Sequence, residues 1–111
     1  MLSALTFALE ADGFVVHGHD RGQTAVDASQ TDRADCLVVD LRLPDMDGLA
    51  LVAMLRHQGV VAPAIVITTA PDERRRREAA KAGVQIVEKP LLDGELRRHI
   101  DLALSGRAAR D

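Results

Sequence analysis

The chain has 111 residues, with 14 Lys and Arg against 17 Asp and Glu, 47% hydrophobic residues and 2% aromatic ones. A length of this order suits one domain that buries roughly 65% of its unfolded surface, which excludes a two-domain enzyme. The formal net charge of -3 argues against a nucleic-acid surface as the main business, and one cysteine, Cys36, excludes an intrachain disulfide or a Cys-rich metal site. Residues 1–14 lack a basic start and a small-residue cleavage site. No apolar run approaches the roughly 18 residues of a membrane span, so the expectation is a cytoplasmic protein with no membrane contact.

The chain enters its first periodic segment at once. Leu2, Leu5 and Leu9 recur at helical spacing before Gly13, predicting a helix over 2–12. Phe14-Val15-Val16 predicts a short strand, and Arg21 to Gln30 a weakly periodic helix. Cys36 to Val39 is a compact apolar run ending in Asp40, as in a strand buried on both faces. The Pro, Asp and Gly content of Leu41 to Gly48 marks a loop, and Leu49, Val52 and Leu55 space a helix that stops near Gly59. Ala64 to Ile67 is a second buried strand, running into Thr68-Thr69. Pro71 to Ala82 predicts a helix with Pro in its first turn and Gly83 past its end. Val84 to Val87 is the last strand, and Leu92, Leu96, Ile100 and Leu104 space the last helix.

Strands alternating with helices of this length predict an α/β fold, with a doubly wound parallel sheet between two helical layers. Four strands and five helices are expected, in one domain over residues 1–105 with a polar, frayed tail over 106–111.

Ligands of open parallel sheets sit beyond the carboxyl ends of the strands. Three of the predicted strands run out into a functional group: Asp40, Thr68 and Lys89. Each alone reads as readily as a cap or a surface residue. Together they place a carboxylate, a hydroxyl and an ammonium on one rim, which suits reversible phosphorylation of the carboxylate: Asp is a nucleophile toward phosphoryl groups. Lys89 can pair the added charge and Thr68 can bind a phosphoryl oxygen. Lys89-Pro90 is a candidate cis peptide.

At these residues the sequence resembles the receiver domain of bacterial response regulators, the CheY-like, flavodoxin-like fold. VVDLRLPDMDG, IVITTA, AAKAG and VEKP carry the resemblance, which runs from Met1 to Leu104. It implies a two-component response regulator made of a stand-alone receiver, with no enzymatic turnover of its own. Asp40 is then the phosphoacceptor, Thr68 the switch hydroxyl and Lys89 the phosphate-pairing lysine. Thr69 is the residue gating access, larger than the usual Ala or Gly, and Ile86 stands where the family has its switch aromatic. The implied partners are a histidine kinase or phosphotransfer protein and a downstream protein.

Receivers begin with a central strand that ends in an acidic pair, which binds Mg2+ with the phosphoacceptor. Neither has a counterpart here, because Met1 aligns inside the helix that follows that strand. The expectation is therefore an N-terminally truncated receiver. Mg2+ is left with Asp40 and the backbone carbonyl of Arg42, and its role in phosphorylation is impaired. Asp45 and Asp47 are poor substitutes, as are Asp12 and Asp20. Strands flanking the gap would carry open edges: either they close up directly or another chain fills the gap, and a homo-oligomer filling it is the expectation.

Arg74 to Arg77 reads first as a solvated helix face with local ion pairs and second as a partner-docking patch. His17 and His19 lack a third metal ligand, His57 and His99 read as surface residues, and Cys36 as a core residue. The alternative function is a degenerate pseudo-receiver, a protein interaction or dimerisation module independent of phosphorylation. A small flavodoxin-like ligand-binding domain is weaker still, because no Gly-rich phosphate loop follows any strand.

Overall fold

The computed structural model describes residues 2–29, 33–91 and 94–110, with side chains over 5–29, 33–91 and 94–105. In chain order the elements are α1 (Leu2–Ala11), α2 (Gly22–Ala28), β1 (Leu37–Asp40), α3 (Gly48–His57), β2 (Ala64–Thr68), α4 (Glu73–Ala82), β3 (Gln85–Glu88) and α5 (Glu95–Arg110). The three strands form one parallel sheet in the order β1-β2-β3. Val39, Val66 and Ile86 lie in register across it, as do Asp40, Ile67 and Val87.

The register separates two apolar clusters, one on each face. Val39 and Val66 pack with Val26, Leu51, Val52, Leu55 and Ala79, from α2, α3 and α4. Ile65, Ile67 and Val87 pack with Leu9, Leu96 and Ile100, from α1 and α5. Every residue of β2 is buried, because both faces of the middle strand are covered, and this is why its sequence is apolar without alternation. The expected doubly wound α/β arrangement is therefore present.

Three expectations need correction. Phe14 to Val16 is not a strand. Phe14 and Val16 do pack on the α1/α5 cluster while Val15 is 87% exposed, but the segment makes no ladder bond, and the amide of Phe14 donates to Leu9 instead. Alternating burial reports which side chains face the core; a strand also needs a neighbour to pair with. The described sheet accordingly has three strands, not four. The helix expected from Pro71 starts at Glu73, with Asp72 as its cap accepting the Arg75 amide at 2.8 Å. The residues expected as a frayed tail continue α5 to Arg110, as the helix propensity of Ala and Arg allows. Gln30 and Leu92, assigned to helices from the sequence, and Asp111 lie outside the described residues, as does the Leu2 side chain.

β1 is paired on one side only. The amides of Leu37 and Leu41 donate toward β2, to Pro63 and Ile67, so strand alternation turns those of Val38 and Asp40 to the other edge. No described strand pairs with that edge.

α2 is capped from a distance. Its own N-cap, Arg21, offers no side-chain acceptor, and the Asp45 carboxylate fills the role, accepting the amides of Gly22 and Gln23 at 2.9 Å each. These backbone bonds, Gln23 first, hold the Asp45 carboxyl below its ordinary value of 3.8. A carboxyl depressed on folding stabilises the fold above its unfolded value, and that contribution is lost as pH falls through the folded value. Urea midpoints measured over a pH series should therefore drop below pH 3.8 less steeply in Asp45→Asn than in the parent.

Candidate functional site

The carboxyl ends of the strands gather the predicted residues on one rim. Asp40 ends β1, Thr68 ends β2, and Lys89 follows β3. The Lys89 amide donates to the Thr68 carbonyl at 2.8 Å, which ties the two strand ends together. The Lys89 ammonium then lies 2.8 Å from Asp40 Oδ2, joining residues 49 positions apart. Asp40 Oδ1 accepts the Arg42 amide at 3.2 Å, so both carboxylate oxygens are engaged. Lys89-Pro90 is cis, as expected.

Thr68 is only 6% exposed, and its hydroxyl makes no hydrogen bond to any described residue. It lines a cavity of about 170 Å³, walled by Leu41 and Arg42 after β1 and by Pro71, Arg74 and Arg75 at the start of α4. Thr69 is exposed beside it. Ile86 is half-buried against the α2/α3/α4 cluster on the sheet face shared with Val66, and its position in β3 is occupied by an aliphatic side chain packed into the core.

The loop after β1 is fixed by backbone contacts that sequence reasoning missed. The Gly48 amide donates to the Leu41 carbonyl at 2.7 Å, and Leu43 to Met46 at 3.2 Å. A Cβ on Gly48 would stand 2.4 Å from the Asp40 carbonyl oxygen, so only glycine lets α3 start this close to the strand end. Asp47 caps α3 by accepting the Leu49 amide at 2.7 Å, and it also pairs with Arg75 of α4. The only sequence hint for these roles is the Asp-Gly pair ahead of an apolar run, the signature of a helix start.

The two loop carboxylates are thereby spent, Asp45 on α2 and Asp47 on α3 and Arg75. Mg2+ takes near-octahedral oxygen coordination with protein carboxylates among its ligands. Among the described residues this rim offers it the Asp40 carboxylate, already bound by Lys89, and the Arg42 carbonyl. No group of three or more His, Cys, Asp or Glu is placed to hold a metal among the described residues. The described residues do not fit the ion.

The remaining candidates have local roles. Arg74 and Arg77 pair with Glu78 and Glu73 along α4, Arg75 with Asp47 and Glu78, and Arg76 with Glu88 at 2.6 Å. The ring of His19 lies 3.2 Å from the Thr24 hydroxyl, and that of His99 lies 2.7 Å from the Gln85 amide nitrogen. Burial, helped by Asp35, pushes the Cys36 thiol up to about 11. No helix among the described residues is long and apolar enough to cross a membrane.

A carboxylate, a hydroxyl and an ammonium thus converge at the strand ends of a doubly wound sheet, and the family model described as "Response regulator receiver domain" matches residues 1–101. The chain belongs to the response regulator receiver family. Its receiver sequence is 38% identical to the transcriptional regulatory protein FixJ of Rhizobium meliloti over 91 residues, 81% of this chain and 45% of FixJ. It is 33% identical to the KDP operon transcriptional regulatory protein KdpE of Escherichia coli over 106 residues, 95% of this chain and 47% of KdpE. The receiver therefore spans less than half the length of either regulator. Its fold matches the CheY-like receiver domain protein of Methanospirillum hungatei with a TM-score of 0.91 over 99% of this chain and 89% of the other, at 19% identity. Receivers serve two-component signalling, interact with histidine kinases or phosphotransfer proteins, and as a family use Mg2+ for phosphorylation.

The close approach at Gly48 gives a direct check. Gly48→Ala should destabilise the receiver by about 1–3 kcal/mol in urea unfolding, because backbone atoms, not a flexible side chain, stand in the way.

Proposed function

We propose that the chain is a phosphorylation-controlled receiver in which Asp40 is the phosphoacceptor, Lys89 pairs the phosphoryl charge and Thr68 is the switch hydroxyl. The observation that carries this reading is the 2.8 Å contact of Lys89 with Asp40, at the rim where the cavity lined by Thr68 opens. In the reaction an Asp40 oxygen forms a bond to phosphorus while the bond from phosphorus to the donor's imidazole nitrogen breaks, the electron pair leaving with the imidazole. Lys89 follows the charge onto the new phosphoryl oxygens, and Thr68 donates its hydroxyl to one of them. Pulling Thr68 toward Asp40 shifts the segment into α4, whose Ala70 already holds a positive φ of 47°. Thr69 borders the approach to the site. With Ile86 in place of a ring, the signal passes through the Thr68 segment and α4.

Phosphorylation that depends on Mg2+ is impaired, because the neighbouring carboxylates serve as caps. The donor is a histidine kinase or phosphotransfer protein, the output is contact with a downstream protein, and the setting is the cytoplasm. The receiver-like domain covers residues 1–105, and the polar segment from 106 carries the continuation of α5. Incubation with an acyl phosphate should give a phosphoryl-mass adduct by intact mass spectrometry that disappears in Asp40→Asn. No adduct under any donor or metal condition would overturn this reading.

A second reading rests on a separate observation. The unpaired edge of β1 presents backbone donors and acceptors beside the partly buried Phe14 and Val16, a template for association. On this reading the chain acts as a pseudo-receiver that dimerises through the β1 edge with or without phosphate. Light scattering at micromolar concentration should then give a dimer mass that Val38→Pro, which removes an edge-facing amide, converts to monomer. A monomer in the parent chain would reject it.

A further inference from the structure

We propose that the Asp47–Arg75 ion pair is a clasp that sets the position of α4. Closed, it ties α4 to the loop leaving β1; open, it leaves Arg75 to Glu78 of its own helix and lets α4 move. The clasp stands on the geometry of these side chains, and its part in signalling rests on the reading of Asp40 as phosphoacceptor.

α4 has little apolar hold on the rest of the molecule. Of its ten residues, all of them described, Ala79 alone is buried, whereas α3, of the same length, buries Gly48, Leu49, Leu51, Val52 and Leu55. One methyl group takes little area out of water, so α4 is placed by its polar ties more than by packing. Two of these ties leave the helix. Arg76 meets Glu88 of β3 at 2.6 Å, but both side chains are about half exposed, and such a pair contributes little. Arg75 meets Asp47 with each side chain only 27% exposed, where the two charges are less screened.

Two positions are built into the clasp. Asp47 divides its oxygens: Oδ1 accepts the amides of Leu49 and Ala50 as the cap of α3, and Oδ2 is left for the guanidinium. The Arg75 Nη1 that faces Oδ2 also lies 3.7 Å from Oε2 of Glu78, so a second partner is at hand on α4 itself. Arg75 stands in the first turn, its amide bonded to the Asp72 cap at 2.8 Å, and the pull of Asp47 therefore acts at the start of the helix. Just ahead of that start Ala70 holds a φ of 47°, where its Cβ crowds the backbone, which favours a rearrangement that lets the segment leave this conformation. The other half of the clasp is firm, because Gly48, next to Asp47, donates its amide to the Leu41 carbonyl at 2.7 Å. The end of β1 is thus tied to α4 by a route that does not pass through Thr68, and any displacement of the Thr68 segment works against it.

The test follows amide hydrogen exchange of the 111-residue chain by NMR, comparing α4 with α3. Asp47→Asn keeps a side-chain acceptor for the α3 cap while removing the charge, and Arg75→Gln removes the other partner. Each should speed exchange in α4 by about fivefold and leave that of Leu51 to Leu55 in α3 unaltered, which also shows that the fold is kept. The double variant should exchange no faster than either single one. Raising NaCl to about 1 M should have the same effect on the parent chain and add little in the variants. Additive effects of the two substitutions, equal acceleration of α3 and α4, or a parent chain indifferent to salt would overturn the clasp. In a second arm, the phosphoryl adduct formed from an acyl phosphate should speed exchange in α4 of the parent chain and have no further effect in Arg75→Gln. An adduct that leaves α4 exchange unchanged would overturn the part of the clasp in signalling. No adduct under any condition would overturn the Asp40 reading while the clasp stands.

Discussion

The burial of β2 on both faces is the constraint on which the rest of the molecule hangs. Ala64 to Thr68 are all buried, and each face of the strand belongs to a different apolar cluster. α3 and α4 cannot be moved without exposing Val66, nor α1 and α5 without exposing Ile65 and Ile67. Because the strand's only polar side chain stands at its last position, the site has one place to be: the rim where the apolar run ends. Thr68 is buried there as a consequence of the packing of β2.

From that rim the chemistry is assembled by backbone contacts more than by side chains. Lys89 reaches Asp40 because its amide is already bonded to the Thr68 carbonyl, so β3 delivers the ammonium at a fixed height. Arg42 is held by the Asp40 side chain it follows. The loop carboxylates stabilise helix starts, and this use explains how a loop rich in Asp can be a poor host for a cation: each anionic oxygen is already taken by an N–H or a guanidinium.

Much of this was legible in the sequence, for a physical reason. Strands buried on two faces appear as apolar runs, and the rim residues are the polar groups that end them, so Asp40, Thr68 and Lys89 could be picked out without coordinates. Helix stops at Gly59 and Gly83 were equally visible. What could not be read was pairing between segments far apart in the chain. Phe14 to Val16 has the composition of a strand but no partner among the described residues, and nothing in three residues reveals that. The bond from Asp45 to the start of α2 spans 22 and 23 positions, and the pairing of Asp47 with Arg75 crosses from one helix cap to another helix. Such contacts leave no periodic trace. The arginine run reads as a set of local pairs, which holds for Arg74, Arg77 and the Arg75–Glu78 contact, whereas Arg75 and Arg76 also reach out of their helix to Asp47 and Glu88.

The contact between Gly48 and Asp40 has a mechanical meaning. The end of β1 and the first residue of α3 touch main chain to main chain, with no side chain between them to absorb a displacement. α3 is ten residues long, which makes it a stiff rod of about 15 Å pivoting on the residue that carries the carboxylate. Any tilt of this rod is borne by the main chain at Asp40 and Gly48, a junction that exists only because position 48 carries no methyl group.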